Sequence, residues 1–526
     1  MTKNIKKIAL VAALFLSSAL GLNARADWKE ELPRPVYESN PGFVELYYKA
    51  WELAYAHIDS IPGLPTPRYM DEAHASNLIW IWDTCFMTQF CKYCPSVFPG
   101  IESLDNFYEL MLSKDRKELP KVIGNEWSGE GQGKLLDFRV QHPDNPPLFA
   151  WAEYSYALQT GNLERLRKVF SERHYLQDWF RLFDSFDPGK PQPYGSSVKV
   201  AAKKYDNGYA WKGCPSGMDN TPRGRTTTPS DPSRCPDNPE LRWLDAISYQ
   251  ALSALCLNNI AELLGDKEEE DIWFKKYREL KADINSLYWD ESDGCYYDIF
   301  SDGKKSKVMT IASYWPLLAW VASDGQAAKM LRKLDNPEYF GGFVPTCSLS
   351  RSDADFVATG GYWRGSVWMP TTYMALKAAD HYGAGDIAKK EAVQILEHMY
   401  RTYTDYEPHT IWECYSPTEF KPATNKKGQT VRPDFCGWSA LGPISLFIED
   451  VIGIREANAF TGNLVCDFEK NPEGRVGVEN YRFGDIVCSV IADKRTIVVD
   501  SNKPFTLIED GKKHRIKKGH NRIIRK

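Results

Sequence analysis

Gly385-Asp386-Ile387-Ala388-Lys389-Lys390-Glu391-Ala392-Val393-Gln394-Ile395-Leu396-Glu397-His398-Met399-Tyr400-Arg401-Thr402-Tyr403 places Ala388, Ala392, Ile395 and Met399 at steps of three and four residues. That spacing puts them on one face of an α-helix, with Asp386 as the N-cap candidate. The same periodicity recurs at 43-58, 82-95, 101-116, 147-160, 163-185, 240-264, 268-288, 311-323, 324-334, 366-383 and 437-450. Hardly any strand pattern separates these segments and no fixed repeat relates them. They are compatible with six helical hairpins, and the expected fold is mainly α, an (α/α)6 toroid.

The connections narrow the reading further. Gly383-Ala384-Gly385 is very short, whereas 117-146, 186-239, 335-365 and 404-436 run long without helical periodicity. Loops beyond about 12–15 residues without structure of their own are uncommon in compact domains and are usually functional. In a ring of hairpins the long loops gather at one end, so the site is expected there. One of them leads into Gly360-Gly361-Tyr362-Trp363-Arg364-Gly365-Ser366-Val367-Trp368-Met369-Pro370. Aromatic faces beside a fixed guanidinium suit a ligand with apolar faces and hydroxylated edges, as a sugar has.

Cleaving a glycosidic bond needs one carboxyl group to protonate the departing oxygen and a second to act as nucleophile or to activate water. Asp219 lies in Ser216-Gly217-Met218-Asp219-Asn220-Thr221-Pro222, eight residues after Trp211, where it could equally be an Asx-turn residue. Glu413 follows Trp412 and precedes Tyr415-Ser416-Pro417. Aromatic neighbours there would shape its pKa by desolvation, though a glutamate at a loop edge reads the same. Asp83, in Trp80-Ile81-Trp82-Asp83-Thr84, could simply cap the helix that follows it.

Tyr362-Trp363-Arg364-Gly365 with Trp368 and Pro370 resembles the YWRGPxWP segment of the family-63 glycoside hydrolases, the mannosylglycerate hydrolase-like enzymes and, more distantly, trehalases. Trp82-Asp83-Thr84, Pro146-Pro147, Ser216 to Pro222, Trp412-Glu413 and Gly437-Trp438 stand in the order such enzymes show, from about residue 80 to about 450. The resemblance implies the (α/α)6 fold and hydrolysis, with inversion, of an α-linked glucoside or mannoside. It implies Asp219 as general acid and Glu413 as general base. It makes Asp83 an acceptor for sugar hydroxyls, with Trp82, Trp363, Arg364 and Trp438 as walls. Trp211, Tyr362 and Trp412, beside these motifs, complete the expected substrate-binding set. Cys85 stands where the family often has an aromatic residue, and Ser366 replaces the usual proline.

The remaining features bound the function. Residues 1-26 read as a secretory signal: Lys3, Lys6 and Lys7, an apolar run from Ile8 to Leu22, then Ala24-Arg25-Ala26 before Asp27. A periplasmic or secreted protein is expected, without membrane insertion. Of the twelve cysteines, Cys214 and Cys235 flank one loop and form the first pair to bridge. Cys91-x-x-Cys94 lies in a helical pattern, so a redox motif is disfavoured. A net charge of -5 argues against nucleic acid as partner, and the basic tail from Lys512 to Lys526 reads as a solvated strand face. Nine histidines show no His-Glu-x-x-His and there is no Gly-x-Ser-x-Gly elbow, so neither a zinc nor a serine hydrolase is supported. Gly129-Glu130-Gly131-Gln132-Gly133-Lys134 lacks the spacing of a phosphate loop. No metal and no cofactor is expected; the partner is a carbohydrate substrate. After Gly453 short β-prone runs begin, such as Asp485 to Ile491 and Thr496 to Val499. The expected division is a signal at 1-26, a catalytic domain at 27-453 and a small β-sandwich-like domain at 454-526. Competing readings are a polysaccharide lyase or sugar epimerase on the same toroid, and a non-catalytic carbohydrate-binding protein.

Overall fold

The computed structural model describes residues 28–62, 64–73, 78–112, 139–141, 143–190 and 200–525. The signal segment, most of the 117-146 connection with Gly129 to Lys134, and part of the 186-239 connection lie outside the described residues.

Each periodic segment of the sequence contains helix. In chain order these are α1 (Pro41–Ala56), α2 (Ile81–Cys91), α3 (Gly100–Leu112), α4 (Phe149–Thr160), α5 (Tyr175–Ser185) and α6 (Leu244–Leu264). They continue with α7 (Lys267–Leu287), α8 (Trp315–Leu318), α9 (Asp324–Leu334), α10 (Met369–His381), α11 (Gly385–Asp405) and the π-type α12 (Gly442–Ile452). Two kinds alternate. Every residue of α2 and α12 is buried, as are Leu244 to Ala254 of α6 and Met369 to Leu376 of α10. A helix apolar all round must sit inside. By contrast α7 buries only Trp273, Tyr277, Leu280 and Ile284, a single stripe. Along the inner set α2 packs on α4, α4 on α6, α6 on α8, α8 on α10, α10 on α12 and α12 on α2. The striped helices lie against these, α3 on α2, α7 on α6 and α11 on both α10 and α12.

Four local expectations are corrected. Asp386 sits inside the first turn of α11, whose cap is Ala384, and Asp83 is the third residue of α2, whose cap is Trp80. The 163-185 segment is two helices, 163–172, which widens to π winding from Arg167, and α5, divided where His174 turns left-handed at φ 55. The 311-323 segment ends as helix at Leu318, because Trp320 adopts φ 55 and the Val321 amide donates back to Pro316 O at 2.8 Å. That is the closing bond of a helix C-terminus, made here without the glycine that normally signals it.

The strand-rich region holds β1 (Arg34–Tyr37), β2 (Ile454–Asn458), β3 (Asn463–Cys466), β4 (Val476–Phe483) and β5 (Ile486–Ala492). It continues with β6 (Thr496–Ser501), β7 (Phe505–Glu509), β8 (Lys512–Ile516) and β9 (Gly519–Ile524). One sheet runs β1-β4-β5-β6-β9 and the other β2-β3-β7-β8. In β5 Ile486, Cys488, Val490 and Ala492 are buried in strict alternation, the period-two signature of a half-buried strand. Phe483 meets Phe505 across the two sheets at 5.5 Å. β1 comes from the opposite end of the chain and is marked by no periodic pattern in the sequence. Gln159, at the end of α4, ties helices to strands by donating to Arg482 O and accepting from Tyr481 Oη, while its carbonyl accepts from the Gly484 amide.

Because the inner helices start at one end of the bundle, that end collects Trp82 and Asp83 of α2, Asp245 of α6 and Trp368 before α10. The connections around 213-243, 335-365 and 404-438 run to the same end.

Candidate active site

Asp219 is held by its neighbours along the chain. Cys214 and Cys235 are joined in a disulfide that closes its loop, the pairing expected from the sequence. Gly213 lies so close to Asp219 O that a Cβ there would stand 2.1 Å from it. Four residues on, the fully buried Arg223 donates from Nε to Asp298 at 2.7 Å and from both terminal nitrogens to Asp245 at 2.6 and 3.0 Å, with Trp243 under its plane at 4.2 Å. Asn220 is the junction to the next loop: its Oδ1 accepts from the Trp363 amide at 2.9 Å and its Nδ2 donates to Gly361 O at 3.0 Å.

Arg364 completes that junction. Its Nε donates to Asn220 O, and its terminal nitrogens donate to Ser230 O, Ser230 Oγ and Asp231 O at 2.9–3.1 Å, with Asp355 Oδ1 at 3.4 Å. Of the five N–H groups of a guanidinium, four hydrogen-bond to acceptors within the protein, and the Asp355 carboxylate pairs with the charge. Arg364 therefore fastens the Asp219 loop and does not present a free fork to a sugar, which corrects the role expected for it.

Glu413 is 4% exposed. Tyr362 Oη donates to its Oε1 at 2.9 Å and the Arg432 amide to its Oε2 at 3.4 Å. Its backbone carbonyl accepts from Trp438 Nε1 and Ser439 Oγ, both at 3.1 Å. Burial raises its pKa above the ordinary glutamate range and the Asp219 charge adds to this, while Arg432 and the Tyr362 hydroxyl oppose it. Lys426 links the two carboxylates: its Nζ is 2.6 Å from Asp219 Oδ2 and 5.3 Å from the centre of the Tyr362 ring, whose hydroxyl bonds Glu413. This ion pair is partly open, the two side chains being 26% and 27% exposed.

Asp83 is the third acid. Burial lifts it well above the usual aspartate range, and the charges of Asp219 and Glu413 lift it further. Behind it Glu72 is wholly buried, with neither carboxylate oxygen bonded among the described residues, and is raised by burial and then by Asp71 and Asp83.

The aromatic walls form one stack. Trp363 lies parallel to Trp368 at 4.3 Å and against Trp82 at 5.8 Å, and Trp438 meets Trp82 at 5.9 Å and Trp368 at 5.4 Å. Gly217 is needed at φ 83 because any Cβ would enter the Trp82 ring, at 2.1 Å. Trp412, buried beside Glu413, donates its amide to Tyr415 Oη at 3.1 Å. Trp211 packs elsewhere, with Phe183, Trp243 and Tyr249, so the structure makes it core in place of the expected wall. Asn220, Lys426, Glu72 and Arg432 carry no signal of these roles in the sequence. Their neighbours here are as far as 365 residues away in the chain, at the Asp71–Cys436 contact beside Glu72, and no local pattern records such distances.

Cys214, Asp219 and Cys235 place ligand-type atoms within 4.8 Å of one another, but the two sulfurs are bonded to each other and offer no thiolate.

Residues 139–428 match the model of a family described as the mannosylglycerate hydrolase MGH1-like glycoside hydrolase domain. Over 437 residues the chain is 27% identical to an uncharacterised protein of Borreliella burgdorferi, covering 81% of this chain and 83% of that one. It is 26% identical over 434 residues to the mannosyl-oligosaccharide glucosidase of Saccharomyces cerevisiae, covering 68% of this chain and 48% of the yeast enzyme, so it spans about half that protein's length. Among solved structures, a family-63 mannosylglycerate hydrolase from Thermus thermophilus superposes with a TM-score of 0.53 at 18% identity, covering 76% of this chain and 99% of that one. A sialidase superposes at 0.62 and 12% identity, covering 95% and 41%. These two likenesses are likenesses of fold.

Proposed function

This chain belongs to the mannosylglycerate hydrolase MGH1-like glycoside hydrolase family, and from that premise we propose that it cleaves an α-linked glucoside or mannoside with inversion, Asp219 serving as general acid and Glu413 as general base. At the coarser level it is a glycoside hydrolase of the glucosidase or mannosidase type. The observation that carries the finer reading is the pairing of two dissimilar carboxylates around Tyr362. One is buried and bonded by a phenol and an amide; the other is partly open beside a lysine ammonium. Two carboxyl groups facing one site from different loops are what the reaction requires. The assignment of acid to Asp219 and base to Glu413 follows the family's motif order and not their surroundings, in which Glu413 is the raised group.

In the proposed reaction the sugar ring lies against the wall whose less buried members are Trp412 and Trp438, backed by the Trp82, Trp363 and Trp368 rings, with Asp83 bonded to its hydroxyls. Lys426 covers the Asp219 oxygen that must reach the departing glycosidic oxygen, so entry of substrate displaces the ammonium. Asp219, taking up a proton as the ammonium leaves, gives it to the departing oxygen while Glu413 takes one from a water that attacks the anomeric carbon from the opposite side. Glu413 returns that proton to solvent and the ion pair reforms when the products leave. No covalent sugar intermediate forms.

The closed succession α2-α4-α6-α8-α10-α12, with the striped helices outside it, supports the (α/α)6 toroid as the body of the enzyme. We assign the signal to residues 1-26, the catalytic body to 27-453 and a β-sandwich-like domain to 454-526, to which β1 from the start of the catalytic segment adds an edge strand, and propose export to the periplasm or beyond. No helix among the described residues is long and apolar enough to cross a membrane. A screen of α-linked di- and oligosaccharides tests the substrate class; turnover confined to β-linked sugars would contradict it.

The surroundings of Glu413 predict a pH effect. A base works as its carboxylate, and the Glu413 pKa is raised, so kcat/KM falls as pH drops through that raised value, earlier than for an ordinary glutamate. Tyr362→Phe removes a bond that favours the carboxylate. The acid limb is expected to move to still higher pH, with the plateau less affected. A limb that stays in place or moves down removes Tyr362 from this role.

A further inference from the structure

The inner helices have a second end, and it is not filled. A cavity of about 640 Å³ lies there, lined by the later turns of α2, α4, α6 and α10 and closed by β2 and Tyr481 of the strand-rich region. Gln89 and Lys92 of its lining follow Asp83 along α2, which at 1.5 Å per residue sets the cavity wall about 9–13 Å from that carboxyl group. Its volume falls in the range of small-molecule sites.

Its lining is not that of an apolar void. Gln89 is 1% exposed and faces the cavity, and neither its Oε1 nor its Nε2 has a hydrogen-bond partner among the described residues. Burying an amide unbonded is unfavourable, so a hydroxylated molecule in the cavity would relieve that cost once the Gln89 side chain turns to meet it. Trp151, Tyr154 and the 43%-exposed Trp320, itself stacked on His381 at 4.8 Å, supply aromatic faces. Apart from the exposed Glu456, the charges in the wall have partners. Glu449 accepts from Tyr93 and Tyr373 and pairs with Lys377 at 2.7 Å and Lys92 at 3.4 Å; burial raises its pKa, but the two lysines outweigh that and hold it at about 2. Arg455 pairs with Asp380, Asp450 and Asp467. A ligand there needs no net charge to balance. It needs hydroxyls for the amide and carboxylates, and ring faces for the aromatics.

We propose that this cavity is a second carbohydrate site, taking a neutral mono- or disaccharide, separate from the catalytic centre and joined to it only through the shared helices. Gln89 bonds the hydroxyls and Trp320, at the mouth, stacks on the ring.

The test is calorimetric titration of the full chain carrying Glu413→Gln, which slows turnover by orders of magnitude, with D-glucose, D-mannose and maltose in turn. Two sites per chain are expected for at least one of them. Gln89→Leu, which keeps the side-chain bulk, and separately Trp320→Ala, at an exposed position, should each weaken one site at least tenfold. In the active enzyme neither should change kcat/KM more than about twofold. A single site that persists in both variants contradicts the proposal while leaving the catalytic reading intact, and so does the absence of heat with all three sugars. Loss of kcat/KM in parallel with the second site would also overturn it, since the cavity would then belong to the catalytic centre.

Discussion

Glu413→Gln is expected to lower kcat by about 10²–10⁴-fold, the range that a positioned acid or base contributes, with the fold intact. The amide has nearly the shape of the carboxylate, its oxygen can still accept from Tyr362 or the Arg432 amide, and only the ability to take a proton from water is lost. Asp219→Asn should cost a comparable factor on natural substrates. The two differ on an aryl glycoside whose leaving group departs without protonation: Asp219→Asn should recover most of its rate there, and Glu413→Gln should not. Circular dichroism and an unfolding midpoint close to those of the unaltered protein accompany both. Near-normal turnover of a natural substrate by either variant would remove that residue from the mechanism.

Arg223→Met is expected to have the largest effect on stability. Arg223 is 1% exposed and its guanidinium serves two buried carboxylates, Asp245 at the start of α6 and Asp298. Removing one partner of a buried ion pair costs roughly 3–5 kcal/mol, because the remaining charge has lost its compensation and cannot reach water. Here two acids are stranded together. Since Arg223 stands four residues after Asp219, activity should fall together with the urea midpoint. Replacing all three groups by apolar residues of similar volume should restore much of the stability and little of the activity. An unchanged midpoint in Arg223→Met would show that the network carries no such load.

The striped helices are legible from three-to-four spacing, while those buried on every side are legible as long apolar runs between connections rich in helix breakers. The Tyr362 to Trp368 stretch and the Cys214–Cys235 pair were legible for a similar reason: their residue types are costly to place without purpose. What the pattern could not show is where a side chain spends its bonding capacity. Arg364 looks like a ligand fork in sequence, yet its acceptors, Asn220, Ser230, Asp231 and Asp355, are 9–144 residues away and leave it no free fork. Asp83 looks like a cap, but α2 starts two residues earlier and turns it inward beside Asp219 and Glu413. Trp211 sits near the Asp219 motif in sequence and in the core in space. Lys426 belongs to the turn at Asn425 to Gly428, which reads as surface until its Nζ is found on Asp219.

The central claim is that Glu413 acts through water, with inversion at the anomeric carbon. Proton NMR of the anomeric signals in the first minutes of hydrolysis of an α-linked substrate, before mutarotation mixes the products, tests it directly. The account predicts that the β-anomer appears first. Early accumulation of the α-anomer would mean retention, and with it a covalent intermediate that the proposed role of Glu413 does not allow.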